Sequence, residues 1–349
     1  MFNRKRLVVV SAAVLVAAAL YAPAQPQLAA AESKPAALLH PPLYSPESPF
    51  NRMIPPNPAV DPGSAAMVGS LIEEARKQGF LMTVKEWTVP VYYASANTKR
   101  YDVRLTASWA PYRTMKGVPI PSFATPDAMS DRHMAIIDLT SGCEYDFWRA
   151  RKALGRWTAA WGNALNTDSD GVFPKGVSAR GSGFGLLAGM IWPDELRAGR
   201  ISHALSFSYS NTKAGGPVPP ATESDGDSVR AGAIPEGARI QLNPALDLDR
   251  LGLTPTERII ARALQEYGMF LSDDGGGITL YAVHPKSVSV DPYAGLFSGD
   301  VVVRGDRFGK AYVMLDRIPV PEFRVLRLAP QVRDPPLEVV PNGCAEFRE

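Results

Sequence analysis

Residues 254–281, TPTERIIARALQEYGMFLSDDGGGITLY, decide the fold, because several independent local signals agree there. Thr254 and Glu257 form a capping box with a proline at the first helical position, so a helix begins at this point. Apolar residues then recur at helical spacing as far as Tyr267. Gly268 suits the left-handed position just past a helix end. The pattern therefore predicts one well-bounded amphipathic helix.

Two strands follow this helix. Met269–Leu271 is a short apolar strand that runs into the acidic turn Ser272–Asp274 and three glycines. Ile278–Tyr281 is predicted to be the next strand. The acidic turn is either a plain hairpin or part of a functional site, and the local pattern leaves both open.

The first 31 residues have the pattern of a secretory signal. Arg4–Arg6 supplies the charged start, Leu7–Leu20 the apolar core and Ala29–Ala31 a small-residue cleavage site. The apolar core is shorter than the roughly 20 residues that a membrane-spanning helix needs. We therefore expect a secreted or periplasmic protein with no membrane span after signal cleavage. An uncleaved N-terminal anchor is the alternative.

The rest of the chain has the composition of a packed globule, with 46% hydrophobic and 21% charged residues. Residues 32–49 are rich in Pro and Ala and are predicted to be a linker or extended arm, and residues 50–349 a single domain including a strand-bearing C-terminal segment. The 32 prolines and 29 glycines favour short strands. The predicted fold is mainly β, an antiparallel jelly-roll-like β-sandwich with two or three short peripheral helices. A net charge of +2 argues against a nucleic-acid partner.

Cysteine and acidic spacings give two further expectations. Cys143 and Cys344 are predicted to form a disulfide in an oxidising compartment, and two free thiols are the alternative. Asn166, Asp168 and Asp170 resemble the first half of a calcium loop, but Val177 stands where the loop needs a Glu. No cofactor is predicted beyond this weak calcium pattern, for which an Asx turn is the simpler explanation.

Two segments carry no chemical motif but bear on the site. Residues 178–189, SARGSGFGLLAG, lack the spacing of a phosphate loop and are predicted to pack closely under something bulky. Residues 211–233 form a long polar loop that contains Asp225 and is a candidate rim of a cleft.

Four segments carry a family resemblance: SDRHMAIIDLTSGCEYDFW, GLLAGMIWPDELRAGRISHALSF, IPEGARIQLNPALDLDRLGLTPTERIIARALQEYGMFLSDDGG and, more weakly, SPFNRMIPPNPAVDPGSAAMVGSL. They resemble a widespread family of secreted bacterial proteins without an assigned activity. Its members read GDRH, then Tyr-Glu, then RHAL, then YGM followed by Ala-Asp-Asn-Gly. The matching residues here are Asp131, Arg132 and His133 for GDRH, Tyr145 and Asp146 for Tyr-Glu, His203 for RHAL, and Ser272, Asp273, Asp274 and Gly275 for the last turn. Asp146 and Asp274 depart from the family's Glu and Asn.

A curved sheet could bring four of these residues to one concave face, because each is predicted on or beside a strand. The predicted catalytic residues are His133, Asp146, His203 and Asp273. The predicted substrate-binding residues are Arg132, Tyr145 and Asp274. Two simpler explanations stay open: His203 shares its predicted face with apolar residues, as core histidines do, and Asp146 could form a structural ion pair with Arg132 or Arg149.

The predicted function is a carbohydrate-active enzyme that acts on a polysaccharide or cell-envelope glycan. A glycoside hydrolase would use Asp146 and Asp273 as its two carboxylates. A lyase on a uronate polymer would use His133, Tyr145 or His203 as base and Arg132 to neutralise the uronate. The alternative is a non-catalytic exported module that binds glycan or envelope material. A peptide or ester hydrolase has less support, because the chain contains no Gly-x-Ser-x-Gly or His-Glu-x-x-His motif.

Overall fold

A computed structural model describes residues 32–38, 40–305 and 309–349. The predicted signal segment 1–31 lies outside the described residues. In the described part of the chain, no helix combines the length and the apolar character that crossing a bilayer requires.

Short strands make up most of the regular structure. The strands are β1 (Phe80–Thr83), β2 (Val91–Ala94), β3 (Arg100–Leu105), β4 (Thr114–Pro119), β5 (Met134–Asp138), β6 (Cys143–Trp148), β7 (Arg151–Ala153), β8 (Arg156–Ala159), β9 (Trp161–Asn166), β10 (Leu205–Tyr209), β11 (Arg239–Leu242), β12 (Met269–Asp274), β13 (Ile278–Tyr281), β14 (Val302–Gly305), β15 (Gly309–Met314), β16 (Phe323–Val325) and β17 (Glu346–Arg348). The helices are α1 (Ser64–Gln78), α2 (Pro193–Ala198) and α3 (Pro255–Glu266), with 3₁₀ turns at Leu248–Arg250, Pro285–Ser287 and Val320–Glu322. The prediction of a mainly β fold with a few short helices is confirmed.

These strands form three sheets. An eight-stranded sheet has the order β14-β15-β1-β13-β10-β12-β11-β16. A five-stranded sheet has the order β17-β4-β3-β8-β7, and a four-stranded sheet the order β2-β5-β6-β9. Most neighbours run antiparallel, but the pairs β1/β13, β10/β12, β2/β5 and β3/β8 are parallel. The sheets are therefore mixed, which the local sequence pattern did not indicate.

Alternating side chains divide the interior into layered cores. In β5, Met134 and Ile136 face a core shared with the five-stranded sheet, whereas Ala135 and Ile137 face a second core toward the eight-stranded sheet. In β12, Phe270 enters that second core, and its neighbour Leu271 enters a third core under α1 and α3. The four-stranded sheet is thus buried on both faces.

Helix α3 forms as its sequence predicts. The Thr254 hydroxyl accepts the Glu257 N–H at 3.1 Å, and the Glu257 carboxylate accepts the Thr254 N–H at 3.0 Å. Ile260 and Leu264 are fully buried on the inner face, and burying each such side chain contributes about 1.5–3 kcal/mol. Gly268 has φ +72°, and a Cβ there would lie 2.5 Å from the Ile240 carbonyl oxygen, so glycine is required at the helix exit.

The acidic turn that follows is not the turn of a hairpin. Strand β10 lies between β12 and β13, parallel to the first and antiparallel to the second. Strand β12 also extends to Asp274, beyond the predicted end at Leu271. The chain after β12 therefore crosses the end of β10 before it returns in β13. This places Asp273 at the end of an interior strand, where it lines a cavity.

Both ends of the described chain are tied to the body. In the predicted linker, Leu38, Leu43 and Tyr44 are buried in the second core, so this arm packs into the fold although its described residues form no helix or strand. The predicted disulfide between Cys143 and Cys344 is confirmed, and it fastens the C-terminal tail to β6 across a sequence separation of 201 residues.

Candidate functional site

A cavity of about 1160 Å³ opens where the ends of β10 and β12 meet the polar loop 211–233 and the glycine-rich segment 178–189. Aromatic side chains form part of its wall; they are Trp87, Trp109, Trp148, Tyr281 and Tyr312. The Trp109 side chain is 55% exposed, and Trp87 is 40% exposed with a left-handed φ of +56°. Large, rigid rings at the mouth of a cavity are suited to flat contacts with a ligand.

The cavity lining is strongly acidic. Six carboxylates line it: Asp131, Glu223, Asp225, Asp273, Asp274 and Asp334. Among the described lining residues, Arg180 and His133 are the basic ones. A cavity with this balance attracts neutral or cationic ligands and repels polyanions.

Asp273 lies at the carboxyl end of β12, where a β-bulge interrupts its pairing. The register with β10 shifts between Phe207 and Ser208, so Ser208 pairs with Asp273. Bulges re-aim side chains beside functional sites. Burial, together with the negative charge of Asp225, raises the pKa of Asp273 well above its usual range, and the Arg180 charge opposes this rise. Asp273 therefore retains its proton at pH values where an ordinary aspartate has lost it.

Asp225 and Glu236 bring two more carboxylates to Asp273. One carboxylate oxygen of each of the three residues lies within 4.8 Å of the other two. The Asp225 N–H donates to Glu236 at 3.1 Å. Glu236 is fully buried, and one of its oxygens has no hydrogen-bond partner. Hard cations prefer oxygen ligands, so this trio, of which Asp225 and Asp273 line the cavity and Glu236 is buried, is able to hold such an ion.

The three carboxylates differ in how far their pKa values rise. Burial and the Asp225 charge raise the pKa of Glu236 well above its ordinary value. Loss of solvent and the Asp274 charge also raise the pKa of Asp225, but two backbone N–H groups stabilise its ionised form. A Cβ at Gly181 would lie 2.6–2.9 Å from atoms of the Asp225 carboxylate, so the glycine lets this group approach the floor. All three pKa values are therefore raised, and that of Asp225 rises less than those of Asp273 and Glu236.

Arg180 supplies positive charge beneath the cavity. Its guanidinium donates to the Leu186 carbonyl at 3.1 Å and lies 5.0 Å from the centre of the Tyr281 ring. The residue is only 4% exposed, and its Nε has no hydrogen-bond partner. The pKa values of Asp273, in the cavity, and of Asp146, outside it, are both raised. The Arg180 charge opposes the rise in each.

His133 also lines the cavity. Its Nε2 is 3.2 Å from the Ala179 carbonyl oxygen. Burial lowers its pKa to about 4; nearby Asp131 opposes this shift and Arg180 adds to it. The neighbouring Asp131 carboxylate accepts the Trp148 indole N–H at 3.2 Å. His133 is therefore neutral at ordinary pH and is a hydrogen-bonding group of the cavity wall.

Asp146 lies outside this cavity, which differs from the expectation that one concave face holds all four predicted catalytic residues. It is 0% exposed on β6, and its carboxylate accepts the Leu186 N–H at 2.8 Å. The adjacent Glu144 accepts the Tyr44 hydroxyl at 2.7 Å and the Leu187 N–H at 3.1 Å. The segment that contains Leu186 covers this face of the strand, so no polymer reaches Asp146.

His203 also lies outside the cavity. Strand β10 begins at Leu205, so His203 precedes the strand on which it was predicted. Its Nε2 is 3.1 Å from a Glu195 carboxylate oxygen. Burial acts to raise the pKa of Glu195, but the charges and hydrogen bonds of His203 and His40 together outweigh it and lower that pKa to about 2.

The predicted substrate-binding residues also separate. Asp274 lines the cavity. Tyr145 is buried on the opposite face of β6, in the core shared with the five-stranded sheet. Arg132 is exposed, with φ +43°, and is not among the residues of the cavity wall.

The calcium pattern takes the form of two Asx turns. The Asn166 side-chain oxygen accepts the Asp168 N–H at 3.2 Å, and the Asp170 carboxylate accepts the Val172 N–H at 3.0 Å. These side chains bond to their own loop, as the simpler explanation requires.

Sequence reasoning missed Arg180 and Glu236 and treated Asp225 only as part of a candidate rim. That loop does line the cavity, so the rim prediction is confirmed. No family profile, no curated protein and no solved structure matches this chain. The resemblance to a family of secreted bacterial proteins stays a prediction.

Proposed function

We propose that this protein is an exported glycoside hydrolase that cleaves a neutral polysaccharide in the cavity. The observation that carries the proposal is the pairing of Asp273 with Asp225 inside an aromatic-walled cavity, with carboxylate oxygens within 4.8 Å of each other. Glycosidic cleavage needs two carboxyl groups in different protonation states.

Asp273 is the general acid and Asp225 the nucleophile. The raised pKa of Asp273 keeps a proton for the leaving oxygen. Backbone N–H groups favour the ionised form of Asp225. Retaining enzymes hold the two carboxyls about 5–5.5 Å apart, whereas inverting enzymes need roughly 6.5–9.5 Å. The short spacing here therefore favours retention of anomeric configuration.

The charge of the cavity favours a hydrolase over a lyase. Six lining carboxylates would repel a uronate polymer, and Arg180 alone offsets little of that charge. Of the predicted lyase residues, Arg132, which would neutralise the uronate, and the alternative bases Tyr145 and His203 lie outside the cavity, and only the third alternative base, His133, lines it. His133 remains as a wall residue that hydrogen-bonds a sugar hydroxyl.

The test is the release of reducing ends from a panel of neutral and acidic polysaccharides, with NMR of the first-formed anomer. We expect turnover on a neutral polymer with retained configuration, and loss of turnover in Asp273→Asn and Asp225→Asn. Asp227→Asn is the matched control, because Asp227 is exposed on the same loop but is not part of the cavity lining.

Three other outcomes would contradict the proposal. Unsaturated products would indicate a lyase, and inverted products would exclude Asp225 as nucleophile. Binding without turnover would indicate a glycan-binding module. The exposed rings of Trp87 and Trp109 would serve that module equally well, so Trp109→Ala is expected to weaken binding in either case.

A further inference from the structure

Two histidines and a glutamate converge on one point away from the cavity. His40 belongs to the N-terminal arm, Glu195 to α2, and His203 to the segment just before β10. One ligand atom from each lies within 4.8 Å of the other two. The His203 Nε2 is 3.1 Å and the His40 Nδ1 3.4 Å from the same Glu195 oxygen, Oε1.

Surrounding hydrogen bonds orient the His203 and Glu195 side chains toward this point. The His203 Nδ1 is 2.9 Å from the Ala204 carbonyl oxygen, which can only accept, so Nδ1 carries the hydrogen. The lone pair of a neutral His203 then points from Nε2 to a carboxylate. Donation from the other ring nitrogen to a carbonyl is the usual arrangement of a metal-bound histidine.

Glu195 is also held in place. Its Oε2 accepts the Trp192 N–H at 3.1 Å, which leaves Oε1 facing both histidines. The His40 ring stacks on Trp192 with centroids 4.8 Å apart, and the backbone N–H of His40 donates to the Asp194 carboxylate at 2.8 Å. The second oxygen of Asp194 is buried and has no hydrogen-bond partner.

The spacing fits a tetrahedral metal ion. Zn²⁺ binds His nitrogen and carboxylate oxygen at about 2.0–2.2 Å, so neighbouring ligand atoms stand about 3.4 Å apart. The two nitrogen-to-oxygen distances here, 3.1 and 3.4 Å, are close to that edge length. Two neutral imidazoles with the carboxylates of Glu195 and Asp194 also balance a dication.

We propose that His40, Glu195 and His203 bind a Zn²⁺-type transition-metal ion that fastens the N-terminal arm to the body of the protein. Two imidazole nitrogens favour Zn²⁺ over the hard cations Ca²⁺ and Mg²⁺. The His40 side chain is 20% exposed, so the fourth position is open to water. The inference is independent of the proposed function, because metal binding is measured without substrate.

The test uses the full chain, stripped with a chelator and then titrated with Zn²⁺ by calorimetry, with bound metal counted by mass spectrometry. We expect one Zn²⁺ per chain and a Tm rise of several degrees at saturating metal. His40→Ala lies on the partly exposed arm and should fold, and it is expected to weaken Zn²⁺ binding by at least about 100-fold. Glu195→Gln should do the same, while His284→Gln, a buried histidine outside the cluster, should bind normally.

Co²⁺ substitution gives an independent readout, because a tetrahedral site has an intense visible absorption that His40→Ala should abolish. Uptake below about 0.2 Zn²⁺ per chain would overturn the proposal and leave a proton-bridged ion pair. Unchanged Zn²⁺ binding in His40→Ala would also overturn it. Zn²⁺ uptake that is lost in Glu236→Gln but kept in His40→Ala would place the metal at the cavity carboxylates instead.

Discussion

Two carboxylate pairs lie near Arg180, and they differ in whether a ligand has access to them. Glu144 and Asp146, below Arg180, are both fully buried and accept hydrogen bonds from backbone and tyrosine donors. Asp225 and Asp273, above it, face the cavity. Desolvation is the largest cause of the raised pKa in all four residues.

The comparison shows that a perturbed pKa does not by itself mark a functional carboxyl. Structural networks raise pKa values as effectively as active sites do. Both Asp273 and Asp146 have a second carboxyl beside them, so what distinguishes Asp273 is access for a substrate. The following predictions test whether this distinction is real.

The largest expected effect is on catalysis. Asp273→Asn removes the proposed acid and should lower kcat/KM by roughly 10²–10⁴-fold, about 3–5 kcal/mol of transition-state stabilisation. Asp146→Asn should leave kcat/KM within a few-fold, because Asp146 touches no substrate. Reducing-end assays on the substrate found in the panel measure both. Equal losses in the two variants would remove the distinction between the pairs.

The next largest expected effect is on stability, and it concerns the buried pair, Glu144 and Asp146. Asp146→Ala leaves the Leu186 N–H without an acceptor and opens a void, so it should lower the free energy of unfolding by about 2–4 kcal/mol. Asp146→Asn retains the acceptor and should cost less than about 1 kcal/mol. Urea unfolding of both variants checks this. A destabilisation by Asn as large as that by Ala would mean that the Asp146 negative charge is needed.

Sequence reasoning predicted the local features of this fold well and the non-local ones poorly. The N-terminal cap of α3 depends on neighbours in sequence, and it is confirmed. The insertion of β10 between β12 and β13 depends on contacts more than sixty residues apart, for which a local pattern carries no signal.

The site was predicted in part for the same reason. His133, Asp273 and Asp274 were found because motifs marked them, and they do line one cavity. Asp146 lies on a strand whose residue alternation does not distinguish an exposed face from a covered one. The glycine-rich segment covers the face that carries Asp146. Arg180 and Asp225 lie in a glycine-rich segment and a polar loop, where no periodicity distinguishes a functional residue from a spacer.

Arg180 lies near both carboxylate pairs, so a substitution that removes its charge probes both. The guanidinium lowers the pKa of Asp273, and Arg180→Met should therefore move the alkaline limb of the kcat/KM profile to higher pH. Arg180→Lys keeps a positive charge and should shift that limb less. An alkaline limb that does not move in Arg180→Met would show that a group other than Asp273 is the acid.

The smallest expected effect is a gain in stability from Asp273→Asn. The folded-state pKa of Asp273 is raised, so the folded chain keeps a proton that the unfolded chain releases above the ordinary aspartate pKa of about 3.8. Wild-type stability therefore falls as pH rises from there through the folded-state pKa. Asparagine cannot ionise and escapes this loss. Its Tm should match that of the wild type near pH 3 and exceed it by a few degrees near pH 8, equivalent to about 1 kcal/mol. The same scan on Asp227→Asn, at an exposed carboxyl, should give no such divergence. A pH-independent difference for Asp273→Asn would mean that the pKa of Asp273 is the same in the folded and unfolded chains and is not raised by folding.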